Sequence, residues 1–304
     1  MNNNELTYWL TFTHVIGISN RRKNEIISNF INNYNIIEFY NLKENELVNA
    51  CNLNSDEAKL IKESHNSLSN NSFLVEDLLN QGFELIPIIS KKYPKTLKKN
   101  LKMKLSPNML YIKGDIGLFD FDSVAIVGSR TASQNSLDFT DNIAKNCYEN
   151  NQVVVSGFAK GVDKQALDSI LNYGGKSIIV LPQGITTFSS GFKKYYKQLI
   201  DGDILLLSTF HPNMPWSIQN AMARNPIIYG LTNKIYVAES NDSGGTWFGV
   251  LDGLKKNREI YIRYSDENEK NANRQLIQKG GIPVNMQGDV LDDVTGNKQV
   301  ELFG

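Results

Sequence analysis

Short apolar runs, each closed by a turn bearing glycine or serine, dominate the chain after residue 122. They read SVAIVG (123–128), QVVVSG (152–157), KSIIVLPQG (176–184), DILLLSTF (203–210), KIYVAES (234–240) and REIYIRY (258–264). Most lack the strict polar alternation of a half-exposed strand, so they fit a sheet buried on both faces. Helical stretches separate them: about 137–150, the segment after FAKGVD, KKYYKQLI (193–200) and WFGVLDGLKKN. Apolar strands alternating with helices predict an α/β fold, a mostly parallel sheet with helices on both faces.

The preceding sequence has a different texture. YWLTFTHVIGISNRRKNEIISNF carries Leu10, Val15, Ile16, Ile18, Ile26, Ile27 and Phe30. Gly17 interrupts the run, Ser19 or Asn20 can cap a second helix, and Arg21, Arg22 and Lys23 fall in its first turns. Further helical patterns occupy 35–50 and 55–80. The expected organisation is a small all-helical domain over 1–82, the α/β domain over 83–284 and a tail over 285–304. Between 83 and 115 the sequence reads as a connector. It holds Lys91, Lys92, Lys95, Lys98, Lys99, Lys102 and Lys104, the most basic stretch of the chain. Such a block is either a solvated face or part of a phosphate-attracting surface.

Lys+Arg and Asp+Glu are equal at 32 each. A globally basic nucleic-acid binder is therefore excluded, whereas a local basic face is not. With 41% hydrophobic and 21% charged residues, the composition is that of a globular protein. Cys51 and Cys147 lie far apart with no CxxC spacing, so two free thiols in a reducing compartment are expected. The N-terminal MNNNELTYWL does not read as a secretory signal, and no apolar run approaches the ~20 residues of a membrane span. A cytoplasmic protein is expected. His14, His65 and His211 show no metal-ligand spacing, so no metal or cofactor is expected.

Chemistry in such a sheet concentrates in the loops beyond the carboxyl ends of the strands. The first is VGSRTAS. Gly128 allows close approach to backbone, Ser129 and Ser133 offer hydroxyls near a helix start, and Arg130 presents a planar fork suited to phosphate. Its alternative is a tight strand-to-helix turn with an exposed arginine. The second is VVVSGFAKGVD, with Ser156, Gly157, Lys160, Gly161 and Asp163; it matches neither GxGxxG nor GxxxxGK[ST]. The third, AESNDSGGTWFG, places Ser243, Gly244, Gly245 and Thr246 at a glycine-rich helix start. In the fourth, AMARNPIIYGLT, Arg224 and Asn225 precede Pro226, which suggests a helix cap. Asp163 and Glu239 are the candidate carboxylates. No GxSxG elbow or HExxH motif is present, and no catalytic set is expected.

The ordered series VGSR-TAS, VVSGFAKGVD, IIVLPQGI, ARNPIIYGLT, YVAESNDSGGT and LIQKGGIPV resembles the DNA-processing protein A family, DprA or Smf, over roughly residues 85–285. YPKTL and SPNMLYIKGD resemble that family's lead-in, and HVIGISNRRKNEII its helix-hairpin-helix or SAM-like domain. The resemblance implies a Rossmann-like domain that binds single-stranded DNA, protects incoming strands and assists loading of the RecA recombinase, with a homodimer as the expected assembly. It places Gly128, Ser129, Arg130 and Ser133 on backbone phosphates, with Ser156, Gly157, Lys160 and Gly161 lining the same pocket. Arg224 and Asn225 match the family's RN pair, and Ser243, Gly244, Gly245 and Thr246 its Ser-Gly-rich turn.

The departures are specific. The Ala-His usual after GID is Ala166-Leu167 here, and FPxRNR is replaced by Ala221-Met222-Ala223-Arg224-Asn225-Pro226. The stacking aromatic and the second arginine are gone, with Trp216 a candidate substitute for the aromatic. Phe188-Ser189-Ser190 stands where the family has YP. Two other readings of the pocket stay open. A phosphoribohydrolase needs a carboxylate after its Gly-Gly loop, and Trp247, Phe248, Gly249 and Val250 supply none. A small-nucleotide sensor needs only the anion-lined crevice.

Overall fold

The structure, a computed structural model, describes residues 1–292; the expected tail falls outside the described residues from 293 onward. In chain order the elements are α1 (Asn3–Thr13), α2 (Asn20–Phe30), α3 (Ile36–Asn41), α4 (Glu44–Cys51), α5 (Ser55–Ser64), α6 (Leu68–Asn80), β1 (Glu84–Pro87), α7 (Lys95–Leu105), β2 (Met109–Gly114), β3 (Ser123–Val127), α8 (Gln134–Glu149), β4 (Val153–Ser156), α9 (Val162–Asn172) and β5 (Ser177–Val180). There follow α10 (Ser189–Lys194), α11 (Tyr196–Ile200), β6 (Ile204–Ser208), α12 (Ile218–Gly230), β7 (Lys234–Val237), α13 (Gly244–Lys255), β8 (Glu259–Arg263), α14 (Asn273–Gln278) and β9 (Ile282–Val284). Two compact units result: Met1–Asp120 with Leu181–Arg224, and Phe121–Val180 with the chain from Asn225 onward.

The first unit contains the expected helices. Ser19 caps α2, its side chain accepting the Arg22 N–H at 3.2 Å. Trp9, Phe12, Phe30 and Phe39 pack as an aromatic cluster, with the Phe30 and Phe39 rings stacked 4.2 Å apart. The stretch expected to be a connector instead contributes β1, α7 and β2. β2 pairs antiparallel with β1 and with β6. The antiparallel strand of this group is β2, which the sequence alone places in the connector. KKYYKQLI is not one helix either: the chain breaks at Tyr195 between α10 and α11.

Contacts of the half-buried His14 and the buried Lys23 pin α1 and α2 within this unit. His14 Nε2 lies 2.7 Å from the Tyr111 hydroxyl, and its ring meets His211 edge-on at 4.8 Å. Lys23 donates to the carbonyls of Thr13 (2.6 Å) and Val15 (2.8 Å). Burial first, then His211 and Lys23, pushes the His14 pKa down to about 3. A histidine lowered on folding takes its proton first in the unfolded chain. Its contribution to stability is therefore complete above about pH 6.5 and is lost as pH falls from there toward 3. His211 is shifted in the same direction by burial. Urea unfolding between pH 7 and 5 should show stability falling by up to about 1.4 kcal/mol per pH unit on account of His14. The variant His14→Asn should flatten that dependence, and an unchanged slope would contradict this account.

The second unit holds a parallel sheet in the order β5-β4-β3-β7-β8-β9. Every residue of β3, β4 and β5 is buried, as their apolar composition requires. On one face Val124, Ile126 and Val154 pack with Phe139 and Ile143 of α8 and Val162, Ala166 and Ile170 of α9. Ala125, Ile235 and Ile260 share a register and face the opposite side. There α13 closes on the sheet, and a Cβ on its Gly253 would lie 2.7 Å from Ile260 Cδ1. Helices therefore cover both faces.

Candidate nucleic-acid interface

The chain runs from β3 outward through β4 to β5, then returns to the other side of β3 for β7, β8 and β9. The order reverses between β3 and β7, and such a switch point opens a crevice at the carboxyl ends of the strands. The loops meeting there follow β3, β4 and β7, three of the four singled out in the sequence.

The loop after β3 is fixed from several sides. The Ser129 N–H donates to the Glu239 carbonyl (2.9 Å), and the Val162 N–H donates to the Ser129 carbonyl (3.2 Å). Thr246 Oγ1 donates to the Gly128 carbonyl (3.1 Å). A Cβ on Gly128 would lie 2.5 Å from Val162 Cγ2 and one on Gly161 2.3 Å from the Ser129 carbonyl oxygen. At Gly161 the obstacle is backbone, whereas at Gly128 it is the β-branched Val162 side chain at the start of α9. Gly161 also needs its φ of +75°.

Beneath the loop lies a buried polar chain. Glu239, 6% exposed, accepts from the Ser133 N–H (3.0 Å), Ser133 Oγ (2.6 Å) and Ser136 Oγ (2.8 Å). Ser136 in turn accepts from Arg263 Nη2 (3.0 Å), and Arg263 pairs through both terminal nitrogens with Glu269. Arg263 Nε and Asn273 Nδ2 each donate to the Ala238 carbonyl at 3.0 Å. The Arg263 hydrogen bonds hold the Glu269 carboxyl below the usual carboxylate range. Glu239 is thus a positioning group: its acceptor capacity goes to the start of α8, which sets the path of residues 129–133.

Of the sequence-derived residues, Gly128, Ser129, Arg130, Ser133, Lys160, Gly161, Gly245, Thr246 and Asn225 are drawn into one neighbourhood. Asn225 Nδ2 donates to the Gly245 carbonyl (3.2 Å). Arg130, Ser133, Lys160, Ser243 and Gly244 are exposed. Ser156 and Gly157 are buried, and the Ser156 hydroxyl donates to the Ile126 carbonyl (2.8 Å), serving the sheet. Arg224 is 4% exposed and lies inside α12; Pro226 sits within that helix too, so the expected cap is not there. Asp163 is buried in the first turn of α9. Sequence reading missed Arg263, Glu269 and Phe248. Phe248, 55% exposed, stands two residues beyond Thr246 on α13. Trp216 is 51% exposed in the segment before α12.

Among the described residues no group of three or more His, Cys, Asp or Glu side chains is placed to hold a metal ion. Cys51 and Cys147 are free and buried, and burial pushes the Cys147 thiol up to about 12. No helix among the described residues is long and apolar enough to cross a membrane.

A doubly wound parallel sheet with a glycine-lined switch point and exposed cations on neighbouring loops defines a Rossmann-like unit. Residues 84–295 match the family described as DNA recombination-mediator protein A. The chain is 30% identical over 225 residues to DNA processing protein DprA of Streptococcus pneumoniae, covering 72% of this chain and 78% of that one. It is 26% identical to DprA of Bacillus subtilis, covering 70% and 72% respectively. The fold matches a crystal structure of S. pneumoniae DprA with a TM-score of 0.71 at 24% identity, over 95% of this chain and 96% of that one. It also matches Helicobacter pylori DprA, a structure described by its single-stranded DNA binding mode, with a TM-score of 0.56 at 23% identity over 67% and 92%. The chain belongs to the DNA recombination-mediator protein A family, the DprA/Smf group.

Proposed function

We propose that this protein binds single-stranded DNA along the carboxyl edge of its parallel sheet and hands it to a RecA-type recombinase. The observation that carries this reading is the pair of exposed cations, Arg130 and Lys160, on adjacent loops locked together by Gly161. Family membership and the binding mode named for the H. pylori relative support it. Arg130 offers a bidentate grip on a phosphate, Lys160 a second point charge. Phe248 on α13 offers an exposed ring for a base, replacing the aromatic missing at Ala221-Met222-Ala223. The role is that of a binding protein. The buried carboxylate nearest the crevice, Glu239, is engaged by two serine hydroxyls and an amide, which disfavours a role in acid–base chemistry. Homodimerisation in the cytoplasm is part of the same proposal.

The test is fluorescence anisotropy of labelled oligothymidine across a salt series, beside a duplex of equal length. Single strands should be preferred, and affinity should fall with salt at a slope of about 0.7 per phosphate contact. Arg130→Ala should weaken binding roughly 10- to 100-fold, the loss of a charge-assisted hydrogen-bond pair worth about 1.5–3 kcal/mol. Salt-insensitive binding, or an unaffected Arg130→Ala variant, would reject the phosphate crevice. Thermal stabilisation by a mononucleotide without oligonucleotide binding would favour the sensor reading.

A further inference from the structure

We propose that α7 and the turn before it form a second binding surface, for the sugar-phosphate backbone of nucleic acid, which nothing in the crevice accounts for. The proposal rests on the single-strand reading above for the identity of the polyanion, but its residues are different. From Lys91 to Lys104 the chain has seven lysines and no carboxylate. All seven are exposed, whereas Leu97 and Leu101 bury the other side of the helix. The lysines are therefore held on an ordered face rather than on a loose tail.

Two of them have internal roles. Lys92 pairs with Glu84 at 2.7 Å, and Lys98 donates to the Ile88 carbonyl at 3.3 Å. Lys91, Lys95, Lys99, Lys102 and Lys104 make no ion pair among the described residues. The first half of the helix is also charged against its dipole, although Lys102 and Lys104 in the last turn suit it. Lys95, Lys98 and Lys99 occupy its first two turns, no acidic residue stands in the first, and Pro94 supplies no side-chain cap. Cations are disfavoured at this end, and like charges three or four residues apart repel. Local stability thus argues against this arrangement, and an external polyanion is what would neutralise it. In a chain of zero net charge, the acid-free stretch is a concentrated positive field. Tyr93, its aromatic residue, is 4% exposed, so the surface offers charge without stacking. That chemistry suits a phosphate backbone and reads no sequence.

The test compares full-length wild type, the triple variant Lys91→Gln/Lys95→Gln/Lys99→Gln and Arg130→Ala in the same oligothymidine salt series. The triple variant should lower the magnitude of the salt slope by about 2, at about 0.7 per lost single-strand contact. Its Tm should stay level or rise, because the repulsion on α7 is relieved, and this separates lost contacts from misfolding. An unchanged slope and affinity in the triple variant, with Arg130→Ala impaired, would overturn the α7 surface and leave the crevice standing. The reverse pattern would overturn the crevice and support α7. Failure of wild type to bind at low salt would overturn both. Loss of binding to phosphatidylserine vesicles or polyglutamate, with oligothymidine binding intact, would also overturn the assignment to nucleic acid.

Discussion

Replacing Glu269 by alanine is expected to remove about 3–5 kcal/mol of stability, a large fraction of what holds a domain folded. The reason is what stays behind. Arg263 has a side chain only 2% exposed at the end of β8, and Glu269 is its counter-charge. Without that carboxylate, the cation keeps the Ala238 carbonyl and the Ser136 hydroxyl, which satisfy hydrogen bonds but not charge. The double variant Arg263→Met/Glu269→Met should recover much of the loss, since an apolar replacement removes both desolvated ions together. Urea unfolding of the single and double variants measures this directly, and a Glu269→Ala loss below about 1 kcal/mol would show the guanidinium to be adequately solvated. The pH dependence has a definite sign. Because Arg263 lowers the Glu269 pKa, the pair's contribution is complete above the unfolded value near 4.5 and is lost as pH falls through the folded value. This window overlaps the lower part of the histidine range, so only the loss between about pH 6.5 and 4.5 belongs to the histidines alone.

The parallel sheet was legible because its strands are buried on both faces, which leaves an unbroken apolar signature such as Ser123–Val127 or Val153–Ser156. Strand direction was not legible. β2 runs antiparallel to both β1 and β6, and nothing in its composition says so. β2 itself was hidden, since MLYIKG sits among prolines and lysines that resemble a linker. The turn after β3 was legible as a place for close backbone approach because glycine and serine stand at a strand end just before a helix. The network beneath it was not, since Glu239 meets Ser133 and Ser136 across more than a hundred residues. One signal was available: Arg263 ends a buried strand, where an arginine must have a partner. Arg224 misled in the opposite sense. Its place before Pro226 suggested a cap, yet both residues lie within α12. A proline there removes one backbone donor, and helix packing tolerates the loss.

Gly161→Ala is expected to disable binding out of proportion to its effect on folding. Two separate penalties meet at this position. With φ +75° and ψ −128° the Gly161 backbone lies in a region open to glycine, and holding an alanine there costs roughly 1–3 kcal/mol. The new methyl would also stand 2.3 Å from the Ser129 carbonyl oxygen and 2.8 Å from the carbonyl group of Arg130. Those are backbone atoms and cannot rotate away, so the loop that aims Arg130 must shift. Gly174→Ala separates the two effects. Gly174 has φ +83°, but its nearest neighbour, Tyr148 Cε2, is 4.0 Å away, and it follows α9 at the far end from the crevice. Gly174→Ala should therefore show the backbone penalty alone, a modest fall in Tm with oligothymidine affinity intact. Gly161→Ala should show a further fall in Tm and an affinity loss of at least roughly tenfold, equivalent to about 1.4 kcal/mol. Equal behaviour of the two variants would mean that the contact between the loops after β3 and β4 does not set the geometry of the phosphate site, and the role given to Arg130 would have to be reassigned.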